Sequence, residues 1–228
     1  TKRIPKIVSV ELSKQEMKIY EKTCELLNEK YFRFDGSPID ARLIVFAILP
    51  KITSSSHSAI ESLEKISKNK KYHQETRDFA KEILEDYSKL KTDSKIDKIL
   101  EIVKNIRKED PEAKILIYTK HPTTLGYIKE ELEKFNLMIV DFIGGLTREE
   151  KTKKIKLFKE KADIMISTDT GAEGLNFQFC NNLINYDLPW NPMSVEQRIG
   201  RLDRIGQKKD MNIFSLATKG TLEEHVVD

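Results

Sequence analysis

Two arginines, Arg201 and Arg204, lie three residues apart in the stretch 196–207, which reads EQRIGRLDRIGQ. The apolar spacing of this stretch predicts a helix, and residues three apart share one face of a helix. A guanidinium group is planar, permanently charged and able to donate to two oxygens at once, which suits a phosphate that gains charge in a transition state. The pair therefore predicts phosphate chemistry; the alternative is a basic surface helix with ordinary ion pairs.

Two further blocks precede this stretch. Residues 167–178 read STDTGAEGLNFQ and follow the apolar run 164–166, which predicts a buried strand that leads into a loop rich in side-chain oxygens and amides. Such loops bind ligands. Gly171 and Gly174 stand where the backbone must turn sharply or approach a ligand closely. The other block, residues 183–192, reads LINYDLPWNP.

The three blocks, in this order, resemble motifs V to VI of superfamily 2 helicases, in the form found in bacterial and archaeal Swi/Snf-related ATPases, including RNA-polymerase-associated ATPases. In that family, ATP binds between two RecA-like lobes, and the resemblance implies that this chain is the second lobe. It implies that Arg204 is the arginine finger, that Arg201 is its companion, and that Gln197 helps to fix the geometry at the phosphate. It also implies nucleotide-side contacts from loop residues, namely Gly171, Glu173, Gly174 and Asn176.

The same resemblance implies contacts to the phosphate backbone of nucleic acid. Thr168 matches the motif V hydroxyl that meets a phosphate, a contact that positions the protein without reading sequence. Trp190 matches the tryptophan of the family's W-N-P turn, although packing beside two prolines is the alternative. The remaining candidates follow two predicted strands: Thr119 and Lys120 in motif IV, and Gly144, Gly145, Thr147 and Arg148 in the next segment.

The sequence has candidate arginines for a nucleotide phosphate but lacks the motifs that bind phosphate and Mg²⁺ in ATPases. It contains no G-x-x-x-x-G-K-[ST] pattern, and no adjacent Asp-Glu pair ends a predicted strand. We therefore expect ATP and Mg²⁺ as cofactors, with the Mg²⁺ ligands on a first RecA-like lobe, and no hydrolysis by this chain alone. The implied function is ATP-dependent translocation on double-stranded DNA, with remodelling or displacement of a DNA-bound protein complex such as RNA polymerase.

Two alternatives from other classes remain open. An RNA helicase lobe is disfavoured because motif VI of those proteins usually reads H-R-x-G-R-x-G-R, whereas this chain has Gln197 at the first position and Asp203 in place of a glycine. A noncatalytic scaffold is disfavoured because both arginines and the loop glycines are present. A motor of a phage-defence or restriction system also fits the motifs.

The elements that must position these residues fall into two regions. Residues 1–92 predict an all-helical segment, in which a capping box of Ser13 and Glu16 begins the first helix. Residues 93–228 predict an α/β domain in which strands alternate with helices, the strands at 114–118, 137–142, 163–167, 183–186 and 211–217. This alternation implies a parallel sheet with helices on both faces, the RecA-like architecture, in which ligands bind at the carboxyl ends of strands.

Composition sets wider limits. The 228 residues carry a formal net charge of +3, with 39% hydrophobic and 34% charged residues, so overall charge is weak evidence for nucleic acid. The basic run 148–161 is either a phosphate-binding stripe or the solvated face of a helix. Cys24 and Cys180 lack metal-ligand spacing, the four histidines are scattered, and we expect no transition metal. We expect a cytoplasmic, nucleoid-associated protein of a bacterium or archaeon, without membrane contact.

Overall fold

The computed structural model describes residues 1–172 and 174–224, and the chain divides into two compact units. We call residues Glu11–Ser94 the helical unit, and Thr1–Val10 together with Lys95–Asp228 the sheet unit. The sheet unit is therefore built from two separate stretches of the sequence, with the helical unit inserted between them.

The helical unit is a bundle of amphipathic helices. Within its described residues these are α1 (Lys14–Leu26), α2 (Pro38–Ser54), α3 (Ser56–Lys68) and α4 (Gln74–Lys89). The predicted capping box is confirmed: the Glu16 amide donates to the Ser13 hydroxyl, and the Ser13 amide donates to the Glu16 carboxylate. The core consists of apolar side chains such as Leu26, Leu63 and Ile83, each 0% exposed.

The sheet unit contains a parallel six-stranded sheet. Its strands are β1 (Arg3–Val10), β2 (Ile115–Tyr118), β3 (Ile139–Phe142), β4 (Ile164–Ser167), β5 (Asn182–Asn185) and β6 (Met211–Thr218). They lie in the order β1-β6-β5-β2-β4-β3, and every neighbouring pair is parallel. The intervening helices are α5 (Ser94–Glu109), α6 (Pro122–Glu133), α7 (Arg148–Glu160) and α8 (Pro192–Ile199).

Helices cover both faces of this sheet, as predicted. Successive side chains of a strand point to opposite faces. One apolar core therefore joins Ile117 of β2 to helices α5 and α6, for example through Ile99. A second core joins Leu116 to α7 and α8 through Phe158 and Ile199. The predicted α/β fold, with five strands at or near the predicted positions, is confirmed.

Two features of the predicted secondary structure are wrong. The first is that residues 1–92 are not all helical, because β1 occupies residues 3–10 and pairs with β6 in the sheet. The second is that no helix carries Arg201 and Arg204 on one face. Helix α8 ends at Ile199, with Gly200 as its C-cap, and both arginines lie in the turns that follow. Gly200 has right-handed backbone angles (φ −61°, ψ −9°), and a glycine inside a helix costs about 1 kcal/mol relative to alanine, which disfavours continuation of α8.

Among the described residues, every helix is too short or too polar to cross a membrane.

Candidate functional site

The candidate site lies at the carboxyl edge of the sheet, where polar residues follow the buried strands. Thr119 follows β2, Thr168 follows β4, and Asp187 lies two residues after the end of β5. Since β4, β2 and β5 are neighbours in one parallel sheet, these residues meet at the same edge. Helix α8 and the turns after it contribute three arginines to the site, Arg198, Arg201 and Arg204.

Arg198 of α8 is the most strongly anchored side chain at this edge. Its Nε and Nη2 donate to the two carboxylate oxygens of Asp169, at 2.6 and 2.8 Å. Its Nη1 donates to Asn185 Oδ1 and to the carbonyl oxygen of Asp187, both at 3.0 Å. The guanidinium also lies over the Tyr118 ring, 5.0 Å from the centroid, and the residue is only 2% exposed. This ion pair joins the loop after β4 to α8.

Sequence reasoning missed Arg198, although a signal was present. Val195, Arg198, Ile199 and Leu202 follow the i, i+3, i+4, i+7 spacing of one buried helical face. An arginine on such a face is almost never fully buried without a partner, so the pattern predicts a buried ion pair. Its partner Asp169, 29 positions away, could not be identified from spacing.

Arg201 differs from Arg198 because its guanidinium has no hydrogen-bond or ion-pair partner within residues 1–172 and 174–224. It lines a small polar cavity of about 90 Å³ together with Gln197, Ser194, Tyr118, Asp169 and Arg198. Ligand pockets are usually several times larger, roughly 300–1,000 Å³, so this cavity suits one end of a ligand rather than a whole nucleotide.

Gln197 and Arg204 are both exposed, and only Gln197 lines the cavity. The Arg204 Nε donates to the Gly200 carbonyl at 3.2 Å, which leaves its terminal nitrogens without a partner among the described residues. The structure thus brings Gln197 and Arg201 into one cavity lining and leaves Arg204 five residues beyond α8 in the following turns.

The loop after β4 is held by backbone contacts. A Cβ atom at Gly171 would lie 2.3 Å from the Phe142 carbonyl oxygen, so only glycine fits there. Gly174 has a φ of +77°, in the left-handed region. The Asn176 side chain accepts from the Gln178 amide at 3.1 Å. Glu173, predicted to contact nucleotide, lies outside the described residues.

Asp187 organises the start of the segment after β2. Its Oδ2 accepts from the Thr119 hydroxyl at 2.5 Å and from the Lys120 amide at 3.0 Å. Burial alone would raise the pKa of Asp187, but Lys95 and these two donors hold that pKa below its ordinary value. Lys95 also pairs with buried Glu223 at 2.6 Å, and burial keeps the pKa of Glu223 above its ordinary value.

The candidate nucleic-acid residues differ in exposure. Thr119 and Thr168 are buried, and the Thr168 hydroxyl accepts from the Gly171 amide at 3.3 Å. Trp190 is 56% exposed. The other candidates are all exposed at the same edge: Lys120, Gly144, Gly145, Thr147 and Arg148.

The segment before α7 contains exposed glycines and the N-cap of that helix. Gly145 has a φ of +90°, and the Thr147 hydroxyl is the N-cap of α7, in a capping box with Glu150. Arg148 has no ion-pair partner among the described residues. An uncommitted arginine beside a helix N-terminus can bind a phosphate.

The arrangement can bind anionic oxygens at two places: the cavity with Arg201, and the exposed segment with Lys120 and Arg148. It contains no candidate metal centre, since within the described part of the chain no three His, Cys, Asp or Glu side chains cluster. A parallel sheet with an uncommitted arginine at its carboxyl edge is the arrangement expected of the second lobe of a RecA-like ATPase.

Comparison with known proteins identifies the family. The family model described as helicase conserved C-terminal domain matches residues 94–206. This segment, which contains the site from Thr119 to Arg204, belongs to that helicase family, and the predicted resemblance is confirmed.

Two bacterial proteins are similar in sequence to part of this chain. Over 130 residues the chain is 45% identical to the uncharacterized ATP-dependent helicase YqhH of Bacillus subtilis (strain 168), a match that covers 57% of this chain and 23% of the relative. Over 126 residues it is 39% identical to the RNA polymerase-associated protein RapA of Vibrio cholerae serotype O1 (strain M66-2), covering 54% of this chain and 13% of the relative. These matches span less than a quarter of either relative.

A solved structure shares the fold. The Sulfolobus solfataricus SWI2/SNF2 ATPase C-terminal domain superposes with a TM-score of 0.62 at 19% identity, covering 99% of this chain and 83% of that chain. This likeness confirms the predicted RecA-like fold.

Proposed function

We propose that this chain is the second motor lobe of an ATP-dependent double-stranded DNA translocase that remodels or displaces DNA-bound protein. The observation that carries the proposal is the difference between two neighbouring arginines. Arg198 is saturated by protein partners, whereas Arg201 lines the same cavity without one. An arginine that is partly buried beside a cavity and lacks a carboxylate partner suits an anionic ligand.

The residues on the nucleotide side have distinct proposed roles. Arg201 and Arg204 donate to phosphate oxygens and disperse the charge that develops during transfer, and Gln197 helps to orient the phosphate end. We assign nucleotide contacts to Gly171, Glu173, Gly174 and Asn176. ATP supplies the phosphoryl bond when bound. A cavity of about 90 Å³ admits only the phosphate end, which supports a site shared with a first RecA-like lobe. That lobe would hold the P-loop and Mg²⁺, so the chain alone does not hydrolyse ATP.

The proposed nucleic-acid surface lies at the carboxyl edge of the sheet, in the segments that follow β2 and β3. Lys120 and Arg148 contribute exposed positive charge, and Gly144, Gly145 and Thr147 are exposed beside them, although the Thr147 amide donates to the Glu150 carboxylate. Thr119 and Thr168 are buried, so they support this surface through their hydrogen bonds, and Trp190 is exposed at its side. Contacts to phosphates bind without sequence preference and weaken with salt.

The cellular setting is part of the proposal. Two bacterial relatives, one named for its association with RNA polymerase, support work on protein bound to DNA, of which a transcription complex is the example. We place the protein in the cytoplasm of a bacterium or archaeon, associated with the nucleoid.

The test is ATP hydrolysis by the complete protein that carries this chain, with no nucleic acid, duplex DNA, single-stranded DNA or RNA. We expect duplex DNA to stimulate turnover. Arg201→Ala and Arg204→Ala should each reduce kcat by about 10³-fold, the usual contribution of an arginine finger, while ATP still binds. The matched control is Arg42→Ala, since this 72% exposed arginine of α2 lies in the helical unit.

The outcomes separate the alternatives. Stimulation by RNA alone would favour the RNA helicase lobe. Absence of turnover under every condition would favour the scaffold. Turnover by the isolated chain that is lost in Arg204→Ala would contradict the shared site.

A further inference from the structure

We infer that Arg198 is a positioning residue: through its bidentate pair with Asp169 it fixes Arg201 for catalysis and does not bind phosphate itself. This inference rests on the proposed function. Arg198 stands inside the same EQRIGRLDRIGQ block as Arg201 and Arg204. By sequence alone any of these arginines could face a phosphate, and their surroundings separate them.

The donors of Arg198 are committed to the protein. A guanidinium has five N–H donors. Nε and Nη2 each donate to one carboxylate oxygen of Asp169, at 2.6 and 2.8 Å, and so form a bidentate pair. Nη1 donates to the Asn185 side chain and to the Asp187 carbonyl. The Tyr118 ring covers one face at 5.0 Å. No second fork remains for a phosphate, and at 2% exposure the side chain cannot turn outward without breaking all of these contacts.

The backbone of Arg201 depends on the same anchor. The Arg201 amide donates to the Arg198 carbonyl at 3.1 Å, and the Arg201 carbonyl accepts from the Phe177 amide at 2.8 Å. Phe177 ends the loop that begins with Asp169. Arg201 is therefore held between α8 and that loop, and the Arg198–Asp169 pair joins these two elements directly.

Arg198 also connects the proposed nucleotide site to the proposed nucleic-acid surface. It donates to the backbone carbonyl of Asp187, whose carboxylate accepts from the Thr119 hydroxyl and the Lys120 amide. The segment proposed to meet nucleic acid and the arginine proposed to meet phosphate thus share one hydrogen-bonded network. Loss of the Arg198–Asp169 pair should therefore also reduce the stimulation of ATP hydrolysis by duplex DNA.

A second Arg–Asp pair in the same unit provides a matched control. Arg107 of α5 donates to Asp163 at 2.8 Å, with the two side chains 28% and 22% exposed. Asp163 precedes β4, so this pair lies at the amino edge of the sheet, opposite the site. If pairing an arginine with an aspartate matters only for stability, both pairs should affect the enzyme alike.

The kinetic test compares these pairs in the complete protein. A shift of about 1 Å in a reacting group can reduce the rate by 10²-fold, so Arg198→Met should reduce kcat about 100-fold. Arg198→Lys and Asp169→Asn should each reduce it about 10-fold, because lysine lacks the fork and asparagine the charge. The dissociation constant of ATP should stay within about twofold, since an arginine that acts only in the transition state leaves ground-state binding unchanged. Arg107→Lys and Asp163→Asn should leave kcat unchanged.

A double-variant cycle tests whether Arg198 and Asp169 act as one unit. Asp169→Asn combined with Arg198→Met should be no slower than Arg198→Met alone. The Asp169 side chain is 43% exposed, so Arg198→Met leaves no buried unpaired carboxylate. The conservative variants Arg198→Lys and Asp169→Asn keep the test valid if Arg198→Met fails to fold.

A spectroscopic measurement on this chain tests the pair without catalysis. In ¹⁵N–¹H spectra, the Arg198 Nε–H should exchange slowly with solvent because it is buried and donates to Asp169, whereas the exposed Arg204 Nε–H should exchange quickly. Asp169→Asn should abolish this difference.

The results separate two failures. A wild-type protein without turnover contradicts the proposed function. A wild-type protein that turns over, loses kcat in Arg201→Ala and keeps it within twofold in Arg198→Lys and Asp169→Asn contradicts this inference alone. An ATP affinity that falls in parallel with kcat would also contradict it, because Arg198 would then be a binding residue.

Discussion

Among the described residues, the two units differ in whether they bury charged side chains. The core of the helical unit is apolar, and its three-residue ion-pair cluster of Lys22 with Glu82 and Asp86 has side chains 24–58% exposed. The sheet unit has comparable apolar cores, yet its carboxyl edge buries Arg198 and the Lys95–Asp187 pair. Burying a charge is costly even when it is paired. The comparison indicates that apolar packing stabilises the helical unit, whereas the edge of the sheet unit uses buried charge and close backbone approach to fix a geometry.

The largest effect should come from the core of the helical unit. Leu63→Ala should lower the free energy of unfolding by about 3 kcal/mol, because Leu63 is 0% exposed and its loss leaves a cavity. Leu43→Ala is the matched control: Leu43 is 62% exposed on α2, and its change should stay within about 0.5 kcal/mol. Denaturant unfolding of both variants gives the difference, and equal effects would mean that side-chain packing does not govern this unit.

The second-largest effect on stability should come from the close backbone approach at Gly171, at the carboxyl edge of the sheet. Gly171→Ala should cost about 2 kcal/mol, because the new Cβ would lie 2.3 Å from the Phe142 carbonyl oxygen and must displace backbone. Gly126→Ala in α6 should instead stabilise by about 0.5–1 kcal/mol, since nothing lies within 4 Å of its Cβ position. Thermal unfolding of the two variants should therefore shift in opposite directions; a shared direction would contradict the close-approach argument.

The smallest effect concerns the N-terminus of α7. Hydrogen bonds from the Thr147 backbone and hydroxyl lower the pKa of Glu150 below its ordinary value. The folded state therefore holds the proton less tightly than the unfolded state, so this contribution to stability is present at neutral pH and is lost as the pH falls through the lowered pKa.

Glu150→Gln should remove this pH dependence. Thermal unfolding between about pH 6 and pH 3 should show a shallower acid loss in Glu150→Gln than in wild type. Glu149→Gln is the control, because Glu149 precedes it on the same turn, is 79% exposed and lies outside the capping box. An identical slope for all three proteins would contradict the assignment.

Much of the sheet unit could be predicted because its signals are local. Strands β2 (ILIY) and β4 (IMIS) are short, mostly apolar runs followed by polar residues, and β3 (IVDF) and β5 (NLIN) each contain an adjacent apolar pair. Strand β1 escaped prediction because it is an edge strand with mostly exposed side chains, contains Pro5, and finds its partner β6 at the far end of the sequence. Proline within a run argues for an edge strand or none, and only the fold decides between these.

The sequence motifs indicated which residues could form the candidate site, and the roles of those residues stay predictions, whereas the contacts among them could not be predicted. The motifs located Gln197, Arg201 and the loop of Gly171. They did not separate the arginine that holds the site from those free to meet a ligand, because that depends on Asp169 and Asn185 from other elements. The helical period was also extended too far: Ile199 and Leu202 are buried, but Ile205, next in the series, is fully exposed at 103%.

The split origin of the sheet unit has a consequence for biosynthesis. Arg3 of β1 pairs with Met211 of β6, so β1 leaves the ribosome long before its partner strand β6 has been synthesised. Closing such a distant contact is slow, and a waiting strand edge can pair wrongly with another chain. A fragment that starts at residue 93 would meet the same hazard permanently, with β6 as its bare edge, so expression of this lobe should retain residues 1–10.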